Sequence, residues 1–141
     1  MKGDRAMRYV SLFVVCVLLA GCASVLDSPR SLLGVSTRDL ELRRSHAVYK
    51  TLSCSATDAF DAAEAFAMAN KYLVFRKDRA GLFLVLMHIP GAVDTTEVGV
   101  FLVPLDEGRS VRIEVSSRSS FARRVVAQTL FADFADDCQV R

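Results

Sequence analysis

Few side chains in this chain of 141 residues have chemistry to offer, and they fall into small groups. Cys54 and Cys138 are the first. A catalytic thiol needs a lowered pKa and a neighbouring base, and nothing local supplies either. The two cysteines end a first strand and a last helix; if successive elements alternate in direction, both lie at the same end of the domain. A bridge between them would close a loop of about 85 residues, worth about 4.5 kcal/mol in the chain-entropy model and more commonly about 2–4. Two small buried side chains are the equal alternative, since bridging needs an approach within about 7 Å. His46 and His88 are the only histidines. A metal site built on them would have to add Asp94 or Glu97, at a spacing that fits no familiar zinc pattern, so they read as surface or edge residues and no metal is expected. Asp133, Asp136 and Asp137 sit near a helix C-terminus, which disfavours anions, and read as a solvated face. Arg118, Ser119, Ser120, Arg123 and Arg124 surround a helix start, where exposed amides and guanidinium groups suit a phosphate or another anion. The same letters also describe a plain serine cap followed by surface arginines. There is no nucleophile elbow, no phosphate-cradling loop with its lysine and no informative His and Cys pairing. The reading is therefore not an enzyme, with no cofactor.

The N-terminus carries a different kind of signal. Lys2, Arg5 and Arg8 outweigh Asp4 and precede an apolar run from Val10 to Ala20. That run is too short for a permanent bilayer span of roughly 20 residues, and it ends in small residues suited to cleavage. It closes on Leu19-Ala20-Gly21-Cys22. These four residues match the lipobox at every position, and the chain resembles bacterial lipoprotein precursors. The resemblance implies a diacylglycerol thioether on Cys22, cleavage after Gly21 and acylation of the new amino group, with Cys16 discarded. It also implies a location. An Asp after the lipidated cysteine favours the inner membrane in that family, and Ala23 in its place favours the outer membrane, facing the periplasm. More than one acyl chain would make the anchoring stable.

Residues 1–21 then form a signal peptide, whose removal takes three of 18 basic and one of 16 acidic residues and leaves a balanced chain. A nucleic-acid partner would call for a basic excess on one face and a polybasic membrane patch for a Lys/Arg cluster beside the anchor; the sequence shows neither, and no nucleic-acid partner is expected. About 120 residues remain, enough for one core and too few for two. Residues 22–46 read as the lipidated N-terminus and a tether, Ser-rich to Ser36, with a helical turn or two within Thr37–His46 before the domain proper. There Arg43-Arg44 reads as two solvated charges, with contact to anionic headgroups as the alternative.

Residues 47–141 read as a single globular domain. A first strand over 47–54 is followed by a Ser55 to Asp58 capping box and a helix to about Asn70, with Ala59, Phe60, Ala63, Phe66 and Ala67 on one face and Asp61 and Glu64 pointing away. Strands follow over 72–76, over 82–89 (apolar on both faces, hence central) and over 96–105. Val111, Ile113 and Val115 alternate with Arg112, Glu114 and Ser116, predicting a strand with one wet face. A last helix is expected over 121–138, with Ala127, Leu130, Phe131, Phe134 and Cys138 buried. The order β-α-β-β-β-β-α with short links predicts an α+β two-layer sandwich: a mainly antiparallel sheet of about five strands with two helices on one face.

That element order is similar to the helix-grip-like domains of some outer-membrane lipoproteins, including an accessory lipoprotein of the barrel-assembly machinery. Asp94-Thr-Thr-Glu-Val-Gly-Val-Phe101 followed by Val111-Arg-Ile-Glu-Val-Ser-Ser-Arg-Ser-Ser120 resembles a pattern in small bacterial lipoproteins, and carries no site with it. The function expected is a non-catalytic binding or structural module, anchored to the membrane through Cys22. Its partner would be an envelope protein met by the sheet's edge or wet face. A carrier for a small ligand or lipid, with a pocket between helices and sheet, is the alternative.

Overall fold

The structure is a computed structural model that describes residues 37–134 and Cys138. Its elements are α1 (Thr37–Leu42), a 3-10 turn (Arg43–His46), β1 (Val48–Leu52), α2 (Ala56–Ala69), β2 (Leu73–Asp78), β3 (Phe83–Met87), β4 (Val98–Leu105), β5 (Ser110–Ser117) and α3 (Ser120–Asp133). The five strands make one sheet in the order β1-β5-β4-β3-β2, with every neighbouring pair antiparallel. The fold is α+β, as the hydrophobic periods predict, with one helix added at the start.

Both long helices form where side chains cap them. The Ser55 Oγ accepts from the Asp58 N–H at 3.1 Å and starts α2; the Ser119 Oγ accepts from the Ala122 N–H at 3.2 Å and starts α3. Each cap satisfies an amide the helix itself leaves unpaired. Ala59, Phe60, Ala63, Phe66 and Ala67 of α2, and Ala122, Val126, Ala127 and Leu130 of α3, are buried with Leu84, Leu86, Val98, Val100, Val111, Ile113 and Val115 in one core. The small alanines let the α2 backbone lie close to the sheet, and the two phenylalanines fill what remains. Outside this core, Arg79 grips Asp61 of α2 with two bonds of 2.6 and 2.9 Å. The bonded guanidinium holds the Asp61 carboxyl below its ordinary range.

Edge strand β2 contains a bulge. Val74 lies opposite Leu86, Arg76 lies opposite Val85, and Phe75 is the extra residue between them. In an unbroken strand Val74 and Arg76 would face the same way. The bulge lets Val74 pack against the core while Arg76 turns to the other side of the sheet, its guanidinium 5.4 Å from the Phe83 ring centroid.

Three expectations need correction. The packed unit begins at Thr37, not at Ala47, so the last part of the expected tether belongs to the fold. The face of β5 read as wet is covered at two of its three positions: Glu114 is 7% exposed and Ser116 is buried, while Arg112 is partly exposed. The cause is α1, which packs on β4 and β5 from the side opposite α2 and α3. Finally, α3 stops at Asp133, and Phe134 is already extended. Its last turn holds an aspartate and no basic residue, a poor match to the negative end of a helix dipole. The Lys50 ammonium of β1 reaches across instead and donates to the Phe131 and Phe134 carbonyls at 3.3 and 3.5 Å.

Candidate interaction surface

The second face of the sheet holds a set of polar side chains in place around α1. At its centre Leu40 of α1, 3% exposed, sits with Phe83, Val85 and Phe101 in a small apolar cluster of its own. Gly99 makes room for it. A Cβ there would come within 2.6 Å of the Phe101 ring and 3.3 Å of a Leu40 methyl. Around this plug α1 is tied down by polar contacts. The Ser116 hydroxyl donates to the Leu40 carbonyl at 2.9 Å, Arg76 donates to the Thr37 hydroxyl at 2.5 Å, and Arg118 pairs with Asp39. Beside that pair, burial pushes the Glu97 carboxyl above its ordinary pKa; nearby Arg118 opposes the shift and Asp39 adds to it.

At the β1 end, cations and aromatic rings cluster. Glu114 accepts from Arg44 at 2.6 Å and from Arg112 at 2.8 Å. Arg44 lies 4.9 Å from the Phe101 ring centroid, and Arg112 lies 5.9 Å from that of Tyr49. Tyr49 pairs with Glu114 across the β1 to β5 ladder and is 66% exposed. The 3-10 turn that leads into β1 exposes Arg43 and His46, and Leu42, which precedes it, is 70% exposed. This rim combines uncovered apolar surface with guanidinium groups that are held in place by ion pairs.

The residues singled out from sequence are distributed as follows. Cys54 and Cys138 are brought together: their Cα atoms are 5.9 Å apart and the sulfurs form a disulfide. Of the anion-binding group, Arg118 is paired to Asp39, and the Ser119 Oγ is spent on the Ala122 amide. Ser120 and Arg124 are exposed, while the Arg123 Nε is buried with no acceptor among the described residues. The five are not gathered around one point with free donors. His46 and His88 are exposed on the 3-10 turn and after β3, and no group of three or more metal-binding side chains occurs among the described residues. Asp136, Asp137 and Cys22 lie outside the described residues.

No family model and no curated protein matches the chain. No helix among the described residues is long and apolar enough to cross a membrane. What sequence reasoning missed is the rim itself, because Arg44 of the 3-10 turn meets Glu114 of β5 across 70 positions, and only the register of β1 on β5 sets Tyr49 opposite Glu114. The available signals were Arg43-Arg44, read there as two solvated charges, and Tyr49, an aromatic residue on a short strand.

Proposed function

We propose that this chain is a lipid-anchored module of the bacterial cell envelope, held by Cys22 at the outer membrane on its periplasmic side. It acts by binding an envelope partner, without catalysis. The observation that carries the reading is Leu19-Ala20-Gly21-Cys22 at the end of a basic and then apolar N-terminus. The fold is consistent with it. The packed unit starts at Thr37, 15 residues beyond Cys22, a stretch of chain that spans at most about 50 Å. An anchored domain of this kind stays close to one membrane.

The exposed rim at the β1 end and the bulged edge at β2 are the surfaces left for partners. A carrier role draws less support, because Phe60, Phe66, Leu84 and Leu130 fill the layer between helices and sheet where a ligand pocket would have to open. The test is intact mass spectrometry and membrane fractionation of the expressed chain beside a Cys22→Ser variant. A lipid-sized mass increase and membrane association, both lost in the variant, are expected. A soluble wild type that keeps residues 1–21 and carries no lipid would overturn the reading.

A further inference from the structure

We propose that the rim formed by Arg38, Leu42, Arg43, His46, Tyr49 and Arg112 docks on an anionic phospholipid surface, that of the membrane the anchor enters. The inference rests on the anchored reading and names what one face of the domain meets. Three observations carry it. The first is position: all of the rim but Arg112 comes from the first elements of the packed unit, which begins 15 residues from Cys22, within the roughly 50 Å that the intervening chain can span. A face kept that close to a bilayer experiences it at high effective concentration, and weak contacts then suffice.

The second is charge. From Thr37 to Leu52 there are four basic residues against two acidic, in a chain balanced overall once residues 1–21 are set aside. Of the two acids, Asp39 is paired with Arg118, which leaves Glu41 as the exposed one. Glu114 is shared between Arg44 and Arg112, so that cluster keeps a net positive charge. The third is shape. Arg38 and Leu42 stand four residues apart on α1 and so share a side of it, Leu42 is largely uncovered, and Tyr49 presents an apolar ring with a polar tip. Exposed apolar and tyrosine side chains among arginines suit the headgroup region, where rings enter the boundary and cations meet phosphates. In this pose the sheet lies between the bilayer and helices α2 and α3, which face away from it.

The chain contains no tryptophan, so a single introduced one reports on its own position. The full lipidated protein is reconstituted into phosphatidylcholine vesicles with and without phosphatidylglycerol, as Tyr49→Trp and, on the far side of the sheet, as Met68→Trp. Flotation of the same samples reads the anchor. Expected is quenching of the Tyr49→Trp signal by brominated acyl chains in the phosphatidylglycerol vesicles, with Met68→Trp unaffected. Adding Arg38→Gln and Arg43→Gln should lower the ratio of docked to undocked protein by roughly ten- to thirtyfold, and high salt should lower it as well. Protein that floats with both reporters quenched alike, or neither, overturns the docking and leaves the anchor standing. A Tyr49→Trp shift that grows with protein concentration and ignores phosphatidylglycerol places a second copy on this face and also overturns it. Protein that does not float overturns the anchor and the docking together.

Discussion

On one face of the sheet Phe60, Phe66 and Leu130 press against Leu84, Val100 and Ile113, all buried and all apolar. On the other, one leucine from a six-residue helix sits on two phenylalanines and a valine, ringed by Arg44, Arg76, Glu114 and the Arg118 to Asp39 pair. The first face gains its stability from area removed from water and from close packing, which ionic screening does not weaken. The second relies on a small plug and on ion pairs whose cations are partly exposed, a class of contact worth little each. One sheet thus carries a side that holds the fold and a side that is open to adjustment, and the chain enters on the adjustable side.

The sharpest way to break this contrast is to cut into each face in turn. Phe60→Ala leaves a large cavity under α2 and should cost about 3–5 kcal/mol, lowering the melting temperature by more than about 12 °C. Calorimetry reads it directly. Leu40→Ala should cost less, about 2 kcal/mol. Hydrogen exchange should then quicken in α1 and in the β4 to β5 ladder beneath it, with α2 and α3 protected as before. If Leu40→Ala destabilises as much as Phe60→Ala, or frees α2 and α3 equally, the two faces form one cooperative core and the contrast fails.

The smallest effect concerns Glu97. Its pKa is raised in the fold, so the folded chain holds that proton more tightly than the unfolded chain does. Its contribution to stability is therefore most favourable below the ordinary value of 4.5 and declines as pH rises through the raised folded value. Glu97→Gln should match wild type near pH 4 and exceed it slightly at pH 7, by no more than about 0.5 kcal/mol. Thermal melts at the two pH values check the sign; a variant less stable at pH 7 would show that the carboxylate's attraction to Arg118 outweighs its burial.

The sequence made the helix-packed face legible because its signals are local. The Ser55 cap, the alanines at 59, 63 and 67 with Phe60 and Phe66 on the same helix face, and the alternation of Val111, Ile113 and Val115 each speak within a few residues. The second face was not legible for a physical reason: Glu114 and Ser116 have the polarity of solvent-facing residues, and only the return of Thr37–His46, with Leu40 at Ser116 and Arg44 at Glu114, changes their surroundings. The same holds for Arg76, whose side is decided by the extra residue Phe75, and for Lys50, whose ammonium meets the end of α3 across more than 80 positions. The end of α3 at Asp133 was missed because Phe134 and Cys138 continue the apolar stripe while the backbone has already left the helix.

The Cys54 to Cys138 bridge has a consequence for how such a chain would be made. The partners are 84 residues apart, and α2, the four strands β2 to β5 and α3 all lie between them. In a polypeptide exported N-terminus first, Cys54 reaches an oxidising compartment long before its partner does. With Cys22 acylated and Cys16 discarded, the emerging chain would offer Cys54 no wrong partner within itself. With only these two thiols left among residues 22–141, the native bridge is the one internal pairing they allow, so such a chain would require an oxidant but no isomerase to reshuffle it.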